Sequence, residues 1–412
     1  MDALNHAKAL LESRRPGYSL PQGLYSDQAI FDLEMDMLFH REWLFAGHDC
    51  EIPKVGDYVT YKVGSAEAII IRSADGEIRA FHNSCRHRGS RLCQAHRGSA
   101  PRLVCPYHQW TYDTEGKLLF AREMGPSFDP TAHSLKSVQC RSFAGYIFIC
   151  FAEDAPDFEA FRAVAEPYML PHGLKDAKLA HSSSIIEAGN WKLVWENNRE
   201  CYHCSGSHPE LCRTYSDAPT FTGVVGQDGD DTLKNHWDRC EAAGLPSAFQ
   251  IADNNQYRVM RIPLNRDTES FTMSGKVAVS KPLGGITEPR IGSMLLFHYP
   301  TTWNHLLRDH TVTFQVTPIG PKETLVTTKW LVHKDAVEGV DYDLKTLTEV
   351  WTATNDQDRR LVEQNQMGID SPAYEPGPYS PVYEDGVIQF VDWYCDAFGG
   401  QIDGSSYLAA AE

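Results

Sequence analysis

The 412-residue chain is 42% hydrophobic and 23% charged, a globular composition long enough for two or three domains with substantial cores. Its 55 acidic against 38 basic side chains leave a formal net charge of −17 with no Lys/Arg-rich run, which argues against nucleic acid and suits solubility or a cationic small molecule. Eleven scattered cysteines, an N-terminus without the apolar core of a signal peptide and no run of membrane-spanning length predict a reducing, cytoplasmic setting without a membrane partner, in which clustered Cys and His mean metal or catalysis.

Residues 1–42 read as mainly helical: "DQAIFDLEMDMLFHREW" carries apolar residues at helical spacing, with Ser26 or Asp27 placed to cap it. The texture changes at Trp43. "GDYVTYKV", "EAIIIRSADGEIRAFHN", "PRLVCPYHQWTYDTEGKLLFA" and "FAGYIFICF" are short β-rich runs broken by DG, EG and Pro, predicting an all-β domain over 43–153 that closes on an "EDAPDFEAF" linker. Helical periodicity returns at Trp191. Past about residue 270, "SGKVAVS", "GSMLLFHYPTTWNHLL", "DHTVTFQVTPIG" and "ETLVTTKWLVHKDA" predict strands, and a final long helix is expected over roughly 342–366. The fold class is α+β: a small all-β domain inserted near the N-terminus of a larger α+β domain, 154–412, with an antiparallel sheet.

The β domain holds "CRHRGSRLC" and "CPYHQW". Cys85, His87, Cys105 and His108 form C-x-H, seventeen residues, then C-x2-H. Two loops, each offering one thiolate and one imidazole, fit either a Cys2His2 zinc ion or a Rieske [2Fe-2S] centre, with the cysteines on one iron and the histidines on the other. The C-x-H spacing is tight for a zinc turn, and Arg86, Arg88 and Arg91 place positive charge around an anionic cluster. Cys93 falls outside the pattern and reads as a buried thiol.

A second cluster lies in "ENNRECYHCSGSHPEL". Asn190 is placed to cap a helix from Trp191 that winds on through Cys204, with Glu200 and His203 three apart on one face. His208 is rotated off that face unless the Ser205–Ser207 turn loosens. Two histidines leave an iron site incomplete; a carboxylate would make the two-His-one-carboxylate triad of non-haem Fe(II) oxygenases.

Together the clusters resemble the α subunit of a Rieske non-haem iron oxygenase, in which the cluster and an "E/D-x-x-H-x-x-x-x-H" segment occur in this order and at about this separation, across essentially the whole chain. The resemblance implies that Cys85, His87, Cys105 and His108 bind the [2Fe-2S] cluster and that His203 and His208 bind a mononuclear Fe(II), with Cys201 and Cys204 as spectators. It draws the third ligand from "DRRLVEQNQ" as Asp358, with Asp356 the competitor. It makes Glu200 the bridge to a Rieske histidine, His108, of a neighbouring subunit, and so implies a homotrimer. A flavin/iron-sulfur reductase spending NAD(P)H would supply the electrons and O2 the oxidant. One departure is Gln109, where many members have Gly, so the "CPYHQW" loop is expected to differ locally.

The segments "NWKLVWENNRECYHCSGSHPEL" and "YEPGPYSP" resemble those of monooxygenases acting on quaternary ammonium compounds, a small cationic or zwitterionic substrate class. The implied reaction is hydroxylation of an N-methyl group with loss of formaldehyde, stachydrine (proline betaine) being preferred over glycine betaine or choline. Such a cation wants aromatic faces, and Tyr202, Phe297, Tyr299 and Trp303 are candidates. The rivals are an arene ring-hydroxylating dioxygenase, an electron carrier using the Rieske domain alone, and a zinc-stabilised scaffold.

Overall fold

The computed structural model describes residues 2–215, 233–265 and 267–409, with side chains described through residue 404. The chain divides into two compact units, Phe39–Asp157 and Met1–Leu38 with Phe158–Glu412. Among the described residues no helix is long and apolar enough to cross a membrane.

In the first unit an antiparallel sheet runs in the spatial order Leu44–His48, Tyr146–Cys150, Ser137–Phe143, Ile78–His82, Ala66–Arg72, Asp57–Val63, Arg97–Ser99. The run Ala68–Ile71 is buried at every position, so both sheet faces are covered there. A smaller antiparallel sheet pairs Leu103–Val104, Thr111–Tyr112 and Leu118–Phe120. Ile69, Ile71, Phe81, Leu92, Trp110 and Tyr112 pack into one core that includes Cys85, Cys93 and Cys105. The loop after Ile78–His82 and the loop between Val104 and Thr111 therefore stand on a packed floor.

The second unit is built on an antiparallel sheet in the order Ala177–Glu187, Glu323–His333, Thr311–Gly320, Thr302–Leu306, Ser293–His298, Tyr257–Ile262, Gln250–Ile251. Helices Trp191–Asn198 and Leu344–Ile369 carry the second cluster. Asn190 caps the first as expected, its side chain accepting from Lys192 N at 3.0 Å. Asp343 caps the second through Thr346 N at 2.8 Å.

Several expectations are corrected. "SGKVAVS" forms no strand: the Ala278 and Val279 N–H groups donate to the buried Asp309 carboxylate, and only Val279 makes an isolated bridge, to Tyr342. "GSMLLFHYPTTWNHLL" is two strands joined at Tyr299–Thr301. The "EDAPDFEAF" stretch leads into a helix, Glu159–Met169, and strand Ala177–Glu187 follows before Trp191. Leu344–Ile369 is not the last helix; Asp385–Ala409 follows, burying Val387, Phe390, Trp393, Tyr394 and Phe398. Near the N-terminus, Asp27 occupies the cap position of helix Gln28–Glu34 without a side-chain cap bond, its carboxylate meeting His6 Nε2 at 2.8 Å instead.

Candidate metal centres

The two loops of the first unit are built alike. Cys85 N donates to Ser90 O and Gly89 N donates back to Cys85 O; Cys105 N donates to Trp110 O and Gln109 N donates back to Cys105 O, all at 2.8–3.0 Å. Both loops turn through a left-handed residue four positions after the cysteine, Gly89 at φ 75° and Gln109 at φ 60°. The loop with Gln109 thus keeps the conformation that Gly adopts in its counterpart, contrary to the expected local difference, and carries a left-handed non-Gly residue costing about 1–2 kcal/mol.

The ligand candidates separate by depth. Cys85 and Cys105 are 3% and 1% exposed, whereas His87 and His108 are exposed, with ring centroids 4.7 Å apart. The buried Trp110 stacks on His87 at 4.9 Å and 9°, fixing the ring plane. The Tyr112 hydroxyl accepts from Arg86 N at 3.1 Å and also hydrogen-bonds Cys85 Sγ at 3.4 Å. Buried thiols on one side and exposed imidazoles on the other fit a two-iron cluster ligated unequally, cysteines on one iron and histidines on the other.

In the second unit the helix from Trp191 ends at Asn198, so Glu200 and His203 do not share a helical face. A turn joins them: the Glu200 carboxylate accepts Tyr202 N and His203 N from the backbone and His203 Nδ1–H from the ring. Ser205–Ser207 is not a loosened turn either. Cys204–Ser207 is one helical turn that ends on His208 and carries it back toward His203.

The reactive ends converge. His203 Nε2 lies 2.9 Å from His208 Nε2, and Asp358 Oδ1 lies 3.3 Å from the first and 3.0 Å from the second. Each imidazole spends its Nδ1 hydrogen elsewhere, His203 on Glu200 and His208 on Gln357 Oε1 at 2.8 Å. The two Nε2 atoms and a carboxylate oxygen thus face one another, and a metal ion replacing their protons would meet two lone pairs and an anionic oxygen there. Asp358 Oδ1 is buried and has no hydrogen bond of its own. Adjacent ligands of an octahedral ion at about 2.1 Å are about 3.0 Å apart, so the set fits one face of such an ion. Burial opposes charge on His203, but Asp358 and Glu200 outweigh it and raise the ring to about 10, and His208 is also raised, with burial opposed by Asp358. The site therefore draws positive charge to this point.

Asp356 stands apart, bound to Arg359 and, at 2.5 Å, to Arg360. Cys204 Sγ is within 4.8 Å of both imidazoles but lies 2.6 Å from Cys201 Sγ, and that contact and burial push its thiol well up, away from the thiolate a metal takes.

A cavity at this point is lined by Asn198, Tyr215, Phe297, His305, Trp351 and Asp358, among others. Of the four expected pocket aromatics, Phe297 lines it and the other three stand elsewhere. Tyr202 is 62% exposed and stacks on Tyr383 at 5.0 Å. Tyr299 is buried with its hydroxyl accepting from Arg199 Nε at 2.6 Å, and Trp303 turns to stack on Phe314 at 4.9 Å. Tyr215, His305 and Trp351 were missed. Trp351 and Thr354 had a signal, lying seven and four residues before Asp358 and hence on its helical face; Tyr215 and His305 had none.

Residues 42–139 match the Rieske [2Fe-2S] domain model, and residues 174–400 match that of the ring hydroxylating alpha subunit (catalytic domain). The chain is 51% identical over 391 residues to a glycine betaine monooxygenase oxygenase subunit of Pseudomonas aeruginosa, covering 94% of this chain and 90% of the relative. It is 46% identical over 404 residues to a protein of the same name from Chromohalobacter salexigens, covering 96% and 89%. A solved structure of the quaternary ammonium Rieske monooxygenase CntA with an inhibitor bound shares the fold at a TM-score of 0.72 and 22% identity, covering 95% of this chain and 98% of that one. With both domain models matched in order and near-full-length relatives at this identity, the chain belongs to the Rieske non-haem iron oxygenases, as an α subunit with a [2Fe-2S] domain and a mononuclear-iron catalytic domain.

Proposed function

We propose that the protein is the oxygenase component of a betaine N-demethylase, with glycine betaine as substrate. The observation that carries the oxygenase chemistry is the convergence of His203 Nε2, His208 Nε2 and Asp358 Oδ1 within 3.3 Å, beside a cavity. An iron held by these three residues would keep positions open for oxygen. When bound, the iron supplies oxygen activation and the cluster supplies electrons one at a time. In this reading Cys85, His87, Cys105 and His108 hold the cluster, and His203, His208 and Asp358 hold the iron.

The residues around the ligands orient and shield. The Glu200 carboxylate holds the His203 ring through Nδ1–H and takes two backbone N–H groups, so its position is over-determined. In this reading it would also accept an imidazole N–H from His108 of the partner subunit in a homotrimer, giving electrons a short hydrogen-bonded route. A separate flavin/iron-sulfur reductase spending NAD(P)H would reduce the cluster.

The lining of the cavity supports a substrate with a methylated ammonium: Tyr215, Phe297 and Trp351 offer aromatic surface to it, beside the carboxylate of Asp358. The guanidinium groups of Arg199 and Arg258 are buried 4.0 Å and 5.2 Å from the Phe297 ring centroid and do not themselves line the cavity. With O2, two electrons and two protons, one N-methyl C–H becomes C–OH and one water forms; the N-hydroxymethyl ammonium then splits into tertiary amine, formaldehyde and a proton. The relatives at 46–51% identity carry glycine betaine in their names, which moves the preference from stachydrine to glycine betaine.

The test is single turnover: reduced, iron-replete protein is mixed with O2 and glycine betaine, stachydrine, choline or naphthalene, and formaldehyde and cis-diol are assayed. Formaldehyde near one equivalent per iron with glycine betaine supports the reading. Formaldehyde from stachydrine alone overturns the substrate, and a diol from naphthalene without formaldehyde overturns the reaction.

A further inference from the structure

The two iron-site histidines are held by different means. His203 Nδ1 meets the Glu200 carboxylate directly, whereas His208 Nδ1 meets a neutral amide, Gln357 Oε1, at 2.8 Å. The amide is not free to turn. Its Nε2 donates to Glu210 Oε2 at 2.7 Å, and an ionised carboxylate only accepts. The end of Gln357 facing Glu210 is therefore NH2, and the end facing His208 is the carbonyl oxygen, which also only accepts. It follows that the neutral, metal-binding form of His208 carries its hydrogen on Nδ1 and presents its lone pair at Nε2, the atom 3.0 Å from Asp358 Oδ1.

We infer that Gln357 and Glu210 form a positioning relay that sets the tautomer and ring orientation of His208 for the metal. Nothing about the ring alone requires this tautomer: with the amide reversed, NH2 would face Nδ1, the hydrogen would move to Nε2, and the ligand lone pair would point away from the site. Glu210 acts at one remove, through the amide. Helix Leu344–Ile369 supplies both Gln357 and the neighbouring Asp358, so one backbone fixes a ligand and the device that orients a second. Glu210 lies two residues past His208, so the relay also ties the loop carrying His208 back to that helix.

The inference rests on the reading of His203, His208 and Asp358 as iron ligands, and the test separates the two. Fe(II) affinity of the mononuclear site is measured on the full-length protein by chelator competition, with thermal unfolding of the iron-depleted form as a control. Gln357→Leu removes both bonds and is expected to weaken Fe(II) binding by about 10- to 100-fold, the usual range for such supporting partners. Gln357→Glu alone sets two carboxylates face to face and is also expected to weaken it. The exchange Gln357→Glu with Glu210→Gln rebuilds the chain with roles reversed: the new carboxylate accepts from His208 Nδ1–H and from the amide at 210. Affinity within about threefold of wild type is expected there, which a merely space-filling role would not predict. Wild-type affinity in Gln357→Leu, or failure of the exchange to recover what Gln357→Glu loses, overturns the relay. A wild-type protein that takes no iron beyond its Rieske cluster overturns the ligand reading, and the relay with it.

Discussion

Lys192→Met probes how the iron-bearing elements are anchored. Lys192 is fully buried on helix Trp191–Asn198, and its ammonium donates to Glu34 Oε1 at 2.6 Å. Glu34, equally buried, also accepts from Tyr394 OH at 2.6 Å and from Trp191 Nε1 at 2.9 Å. Residues from the N-terminal helices, the helix leading to the iron histidines and the C-terminal helix thus share one carboxylate. Burial pulls the Lys192 ammonium down while Glu34 opposes it. Removing the ammonium leaves a carboxylate in an apolar setting with two neutral donors, and breaking a buried pair this way costs about 3–5 kcal/mol. For a unit of about 290 residues, an unfolding entropy of about 2.1 cal/mol/K per residue converts that to a Tm loss of about 5–8 °C. Glu34→Gln combined with Lys192→Met removes both charges and keeps an acceptor for Trp191, so most of the loss should return. Calorimetry of the catalytic-unit transition reads both. A loss under about 2 °C in Lys192→Met, or a double variant no better than the single, would refute the reasoning.

Asp358→Asn should empty the mononuclear site while leaving the Rieske absorption intact, whereas Asp356→Asn, which loses only exposed pairs with Arg359 and Arg360, should change stability by less than about 1 kcal/mol and keep the iron; metal analysis of both variants decides. Glu196 is pushed up by burial to about 7, against the opposing Tyr25 and Tyr379 hydroxyls. Because its folded value lies above its unfolded one, the folded state holds the extra proton, and its contribution is full below about pH 4.5 and lost as pH rises through about 7. The span is worth up to about 3 kcal/mol, and denaturation across that range should show a flatter pH profile in Glu196→Gln. Gln109→Gly relieves the left-handed strain at φ 60° and should stabilise the Rieske unit by about 0.5–1 kcal/mol without altering its spectrum, as read by thermal melts followed at the cluster absorption.

The kind of chemistry at both sites is legible in the chain's own spacing. Short-range spacing is written in the chain: Cys85-x-His87, Cys105-x2-His108 and His203-x4-His208 single out candidate donors without any knowledge of the fold. The alternation of apolar residues likewise separated a β-rich segment from the α+β remainder. Tertiary structure decided what spacing does not encode. Between Asp356 and Asp358 the choice rests on which carboxylate the helix turns toward the imidazoles, and Asp356 has two arginines of its own helix to meet. The turn at Glu200, where a side chain captures two backbone N–H groups and ends helical continuity, replaced the helical face that periodicity predicts. "SGKVAVS" has strand composition, but its N–H groups go to Asp309, thirty residues away in sequence. The cavity wall was least legible: Phe297 is among the expected aromatics, but Tyr215 and His305 come from separate segments with nothing in the sequence to mark them, and only the fold places them beside the candidate metal site. The candidate cysteines and histidines form local patterns, whereas Asp358, the cavity wall and the relay through Gln357 and Glu210 are long-range meetings of common residues, and only the folded chain brings those together.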